Sequence, residues 1–194
     1  KQLIDEYEIH QLLTIDEFVN PFADTSISKK IDLFGGANYD EMNNQSTASS
    51  NMIAPAYRNA TDQKNIKFNY LSGTEKEVEV IAENVKNTSW TQQTYNGTKA
   101  TEDNLKQLSG RSAPTILHIA THGFYFPPNP ILKSNLNEVN NDMPKDFPLL
   151  RSGLVLSGVN NYWGKDAVDG KEDGVVTAQE ISNMNLTNTD LVTL

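Results

Sequence analysis

Residues 114–123 read PTILHIATHG, and this stretch decides the fold class. Residues 116–120 are almost all apolar, which is typical of a central parallel strand that is buried on both of its faces. His122 and Gly123 follow directly, so the pattern predicts that the strand ends with a histidine at its carboxyl end. Ligands of parallel α/β sheets bind outside the carboxyl ends of the strands. The sequence therefore predicts that His122 stands at a candidate site.

Strand and helix patterns alternate through the rest of the chain. Further strands are predicted at residues 27–34, 89–95, 153–158 and 190–194, the first of them ending in a tight turn at Gly35 and Gly36. Helices are predicted from capping boxes that begin at Thr74 and Thr177, and a shorter helix from the cap Thr101. Such alternation predicts an α/β fold with a mostly parallel sheet and helices on both faces.

The composition excludes several classes of function. The 194-residue chain carries a formal net charge of -9, and nucleic-acid-binding surfaces are usually basic. It has no cysteine, which removes disulfides, thiolate metal sites and an internal cysteine nucleophile. No run approaches the roughly 18 apolar residues that a membrane span requires. We therefore expect no membrane insertion, no direct nucleic-acid contact and no cofactor or metal.

Two of the three histidines differ in what their positions predict. His118 lies inside the apolar strand, so we interpret it as a satisfied core histidine. His122 lies where the strand ends and precedes Gly123, whose N–H can face a ligand closely. This pair suits a general base beside an oxyanion donor, although the dipeptide alone is a weak signal.

Several motifs resemble those of the CHAT domains, which are caspase-like cysteine peptidases related to separase. ILHIATHGFY resembles the family's histidine motif, and the following segments resemble its other motifs in the family's order: LSGTEKEVEVIAENV (71–85), PLLRSGLVLSGVNN (148–161), EDGVVTAQEI (172–181) and TDLVTL (189–194). The resemblance implies a caspase-like three-layer sandwich around a mostly parallel sheet. It also implies one domain over residues 1–194, trimmed at both ends, with long loops at about 40–69 and 124–150.

The resemblance assigns roles to individual residues. His122 takes the place of the family's general base, and the Gly123 N–H is the oxyanion donor that it implies. The family's cysteine nucleophile falls about three residues beyond Leu194, so this chain alone is expected to be inactive. The loop after the first strand lines the specificity pocket in this fold class, which makes Asn38 and Asp40 candidate substrate-binding residues. Ordinary turn chemistry explains them as well.

The resemblance also carries expectations about context. It implies a bacterial, cytoplasmic hydrolase that is inactive until TPR repeats or an activating partner transmit a signal, and that then cleaves a protein substrate. One alternative is a pseudo-peptidase, a protein-interaction module that keeps the fold without the chemistry.

Another alternative is a calcium-binding domain, because the segment from Asp169 to Glu180 imitates an EF-hand loop. Lys171 occupies a ligand position of that loop, and Glu180 is also explained as the capping-box partner of Thr177.

Overall fold

The computed structural model describes residues 29–40, 66–126, 148–163 and 172–194. Its main sheet contains β1 (Lys30–Ala37), β2 (Thr91–Gly97), β3 (Ile116–Ile119) and β7 (Leu191–Thr193) in the order β2-β1-β3-β7. All three pairings are parallel. The predicted α/β class and the central strand that precedes His122 are therefore confirmed.

One face of this sheet is covered by α1 (Ser72–Val85). Its buried Val78 packs against Ile31 and Leu33 of β1, with an apolar stripe of helix residues beside it. A Cβ atom at Gly35 would lie only 2.5 Å from the carbonyl oxygen of Thr74, so glycine is needed for this close approach. The prediction that the strand ends at Gly35 is wrong, because β1 continues through it and the glycine accommodates the helix.

The predicted capping box at Thr74 is also wrong. The helix begins at Ser72, which places Thr74 inside its first turn. Its hydroxyl donates to the carbonyl oxygen of Leu71 at 2.7 Å and accepts from the N–H of Gly36 at 2.9 Å. Thr74 therefore joins the helix start to β1.

The opposite face of the sheet carries the larger core. Phe34, Leu117 and Ile119 of the sheet pack there with Leu105 of α2 (Glu102–Lys106). The Thr101 hydroxyl accepts from the N–H of Asn104 at 3.2 Å, so the predicted cap of this short helix is confirmed. The sheet is thus buried on both faces.

A second sheet lies next to this core. Its strands are β4 (Gly123–Tyr125), β5 (Ser152–Val155) and β6 (Val175–Thr177), all antiparallel and in the order β4-β5-β6. The strand predicted at 153–158 is β5, which ends at Val155 and belongs to this sheet. β4 and β6 were not predicted, because three-residue strands are too short to show a period.

The last helix, α3 (Ala178–Ser182), has the predicted capping box. Thr177 accepts from the N–H of Glu180 at 3.2 Å, and Glu180 Oε2 accepts from the N–H of Thr177 at 2.8 Å. Most of the two predicted loops, at 40–69 and 124–150, lies outside the described residues. Across the four ranges that are described, no helix combines the length and the apolar character that crossing a membrane requires.

Candidate active site

His122 follows β3 at the carboxyl edge of the parallel sheet, and its ring lies against two aromatic side chains. The ring centroids of His122 and Tyr39 are 5.2 Å apart, and those of His122 and Phe68 are 5.6 Å apart. Tyr39 follows β1 and Phe68 precedes α1, so a strand of the sheet and the helix that covers it supply the two contacts. The two aromatic rings also contact each other, with centroids 6.4 Å apart, and together they restrict rotation of the imidazole.

A main-chain hydrogen bond selects the tautomer of this imidazole. His122 Nε2 lies 2.9 Å from the carbonyl oxygen of Asn69. Because a carbonyl oxygen only accepts, Nε2 is the protonated nitrogen and donates. The neutral ring then carries its lone pair on Nδ1. A histidine held in this state can take a proton at Nδ1, which is what a general base must do.

Buried hydroxyl groups stiffen the backbone beside His122. The Thr121 hydroxyl donates to the carbonyl oxygen of Val155 at 2.6 Å, so the hydroxyl of the buried Tyr39 donates to Thr121 Oγ1 at 2.9 Å. Burial raises the pKa of Tyr39, and hydrogen bonds with Thr121 and with the main chain of His122 oppose this shift. The chain from Tyr39 to Val155 thus links β1, the end of β3 and β5 around the histidine.

Gly123 presents its N–H away from the neighbouring strand. It pairs with Leu154 across β4 and β5, and the flanking hydrogen bond runs from the Val155 N–H to the His122 carbonyl oxygen at 3.0 Å. Gly123 and Leu154 are therefore a non-hydrogen-bonded pair, whose N–H groups point outward. A Cβ at Gly123 would come no closer than 3.5 Å to its neighbours, so packing does not require glycine here. An exposed, outward N–H next to the histidine is the geometry that an oxyanion donor needs.

Asn38 and Asp40, the predicted substrate-binding residues, flank Tyr39 on the turn after β1. Asn38 Oδ1 accepts from the N–H of Asp40 at 3.2 Å. The exposed Asp40 carboxylate accepts from Asn160 Nδ2 at 3.0 Å and lies 3.4 Å from Lys67 Nζ. Both residues thus border the site and tie its loops together, and their contact with a substrate stays a prediction.

His118 lies away from the apolar core in which the sequence predicted it. Its side chain, 12% exposed, reaches toward α1 and β7 and has polar neighbours on both. Its Nδ1 lies 2.5 Å from Thr193 Oγ1. The strand period places it on the face opposite Leu117 and Ile119, and that face meets the helix.

The carboxylate of Glu180 is occupied by contacts other than a metal. Its Oε1 lies 2.7 Å from Lys106 Nζ, and its Oε2 accepts from Thr177. Asp169 and Lys171 lie outside the described residues. Within the described ranges, no group of three or more His, Asp or Glu side chains could hold a metal ion. The structure therefore offers no support for an EF-hand-like calcium site.

Sequence reasoning missed three contributors to the site, namely Tyr39, Phe68 and Asn69. The last two fall in a segment rich in Asn, Ser and Thr that has no period, and Asn69 acts through its main-chain carbonyl. A main-chain contact leaves no trace in residue type, so no sequence signal could have indicated Asn69.

Comparison with known families agrees with the geometry. A family model for the CHAT domain matches residues 1–194, the whole chain. The chain therefore belongs to the CHAT domain family, a caspase-like, peptidase-related group. No curated protein and no solved structure gave a significant match.

Proposed function

We propose that this chain is the histidine-bearing part of a caspase-like cysteine endopeptidase that cleaves a specific protein target. The observation that carries the proposal is the state of His122. The Asn69 carbonyl oxygen 2.9 Å from Nε2 leaves the lone pair on Nδ1, at the carboxyl edge of the sheet and beside the outward N–H of Gly123. Base and oxyanion donor therefore stand together in a chain of a peptidase-related family.

The pairing of β3 with β7 supports a position for the nucleophile. His118 pairs with Thr193 in parallel register. Four residues beyond His118 the register reaches His122, and four residues beyond Thr193 it reaches the third position after Leu194. The family resemblance puts its cysteine at about that position. β3 itself ends at Ile119, so this count places the cysteine at the same carboxyl edge of the sheet as the base and does not pair the two residues.

The chemistry follows from these placements. His122 Nδ1 takes the proton of the cysteine thiol, and the thiolate attacks the carbonyl carbon of the scissile peptide bond. The Gly123 N–H stabilises the negative charge on that carbonyl oxygen. The imidazolium returns its proton to the leaving amine, and water then hydrolyses the thioester. Because the 194 residues include no cysteine, we expect them to be inactive alone.

The proposal extends to the setting of the enzyme. The substrate is a protein, and TPR repeats or another activating partner control cleavage in the bacterial cytoplasm. The family resemblance supports this setting, and the acidic net charge of -9 favours basic protein partners.

The test uses a chain extended beyond Leu194 through the expected cysteine. Wild type, His122→Ala and the control Gln93→Ala, which changes an exposed residue of β2, are compared on a peptide library. We expect His122→Ala to lower kcat/KM by about a thousandfold, since a general base contributes that order of rate. The control should match wild type. Equal activity of His122→Ala and wild type would rule out His122 as the base.

A further inference from the structure

A polar connection runs from α1 through β3 to β7 and centres on His118. The imidazole Nδ1 lies 2.5 Å from Thr193 Oγ1, and Nε2 lies 3.3 Å from Glu77 Oε1 without hydrogen-bond geometry. The Glu77 charge favours the tautomer with hydrogen on Nε2, in which Nδ1 accepts from the Thr193 hydroxyl. His118 thus connects the covering helix α1 to Thr193, the last residue of β7. In sequence, His118 lies four positions before His122.

The docking of β7 rests on polar and main-chain contacts. It has three residues and lies at the end of the strand order, where it pairs with β3 alone among the described strands. Leu191 is 49% exposed and Val192 is 45% exposed, so burial of their side chains contributes little to its docking. The strand is held by its main-chain pairing with β3 and by the bond from Thr193. Just before it, the Thr189 hydroxyl donates to the Pro114 carbonyl oxygen at 2.7 Å, and the Asp190 N–H donates to the Thr115 carbonyl oxygen at 2.9 Å.

This bond specifies register. His118 and Thr193 are directly paired residues, and their side chains lie on the same face of the sheet. A slip of one residue would turn the Thr193 hydroxyl to the opposite face and break the bond. The bonds from Thr189 and Asp190 fix the start of the strand, and the bond between His118 and Thr193 fixes its carboxyl-terminal end.

We propose that His118 is a positioning residue that holds the carboxyl-terminal end of β7 in register through Thr193, so that the residues after Leu194 leave the sheet at the carboxyl edge where His122 stands. The inference rests on the proposed function, since it assigns His118 a part in placing the nucleophile. His118 itself touches neither the substrate nor the reacting atoms. A buried histidine that only fills space would show no dependence on the hydroxyl of Thr193.

The first experiment tests the contact on the 194-residue chain by amide hydrogen exchange. Thr193→Val keeps the side-chain shape and removes the hydroxyl, whereas Thr193→Ser keeps the hydroxyl. We expect exchange at Leu191 and Thr193 to rise about tenfold in the valine variant, the order expected for one lost hydrogen bond. The serine variant should stay near wild type. Equal protection in the valine variant and wild type would overturn the proposal, and it would leave the peptidase proposal untouched.

The second experiment measures cleavage by the extended chain. We expect Thr193→Val and His118→Gln to lower kcat by about tenfold with KM unchanged, because a displaced nucleophile weakens the chemical step and not substrate binding. Thr193→Ser should restore kcat. A valine variant with wild-type kcat would refute the positioning role while the enzyme assignment stands. If His122→Ala matches wild type, the enzyme assignment fails first, and the exchange result still reports on the contact.

Discussion

Single side chains around His122 act mainly by holding it in one state. Tyr39 is the clearest case, since its ring contacts the imidazole and its hydroxyl bonds to Thr121 and to the main chain of His122. The sequence predicted His122 because strand ends and small following residues have recognisable patterns. It could not predict the role of Tyr39, since a tyrosine in a turn does not reveal which buried hydroxyl it will meet.

Removing this hydroxyl should destabilise the fold. Tyr39→Phe removes the hydroxyl that donates to Thr121 Oγ1 and leaves the His122 N–H without this partner, and such a loss costs about 1–3 kcal/mol of unfolding free energy. Urea denaturation measures the change. The control is Tyr125→Phe, whose side chain is 66% exposed and whose loss of hydroxyl should cost less than about 0.5 kcal/mol. Equal effects of the two substitutions would contradict the bond assigned to Tyr39.

At the scale of elements, the contact between β1 and α1 depends on backbone proximity. At Gly35 an added Cβ would meet the Thr74 carbonyl oxygen at 2.5 Å and Val78 Cγ1 at 2.7 Å, whereas at Gly73 nothing lies within 4 Å. Gly35 therefore lies at this contact, whereas Gly73 lies on the exposed side of the helix. One is required by packing, and the other occupies an open position on a helix.

The two glycines form a matched pair for substitution. Gly35→Ala forces strand and helix apart, and overpacking of this kind costs about 1–3 kcal/mol. Gly73→Ala should instead stabilise the protein by about 0.5–1 kcal/mol, because alanine favours the helix. Thermal unfolding of both variants measures the difference. A tolerated Gly35→Ala would mean that α1 lies farther from β1 than described.

The same elements show why sequence reasoning succeeded at one helix and failed at another. Thr74 and Thr177 both begin a capping-box pattern, yet only Thr177 caps a helix in this way. At Thr74 the hydroxyl accepts a hydrogen bond from a tertiary partner, the N–H of Gly36, and the helix starts two residues earlier. A local pattern predicts a cap only where no distant strand competes for the same oxygen.

On the scale of the whole molecule, an acidic cluster joins two regions that are far apart in sequence. It comprises Glu102, Asp103 and Lys106 of α2, Glu172 and Asp173 before β6, and Glu180 of α3. Burial, followed by a hydrogen bond with Asp103, raises the pKa of Glu172 to about 9. Burial, followed by the charge of Asp173, raises the pKa of Glu102 to about 7. Because Glu172 and Asp103 form a hydrogen bond between two carboxyl groups, one proton must lie between them.

The raised pKa values make stability depend on pH. Glu172 binds its proton more tightly in the folded state, so its stabilising contribution is complete below its ordinary pKa of 4.5 and is lost as the pH rises toward about 9. Glu172→Gln mimics the protonated group and does not titrate. We expect its Tm to equal that of wild type near pH 4.5 and to exceed it by about 3 °C near pH 9.

A matched control is Glu83→Gln, which changes an exposed carboxylate 3.4 Å from Lys86. Its difference from wild type should stay constant over the same pH range, since an exposed pair contributes little. A flat profile for Glu172→Gln would contradict the shared proton between Glu172 and Asp103.

The all-parallel main sheet has a consequence for how the chain reaches its native state. Lys30 pairs with Thr91, Ile31 with Ile116, and Ile116 with Leu191, so the paired residues of adjacent strands lie far apart in sequence. Each pairing must close a long loop, and the chain entropy lost in closing it opposes folding until the strand contacts form. Such topologies have high contact order and fold slowly. Among the described strands of this sheet, β7 is synthesised after β1, β2 and β3, so the edge of β3 that it covers stays unpaired during synthesis until β7 emerges.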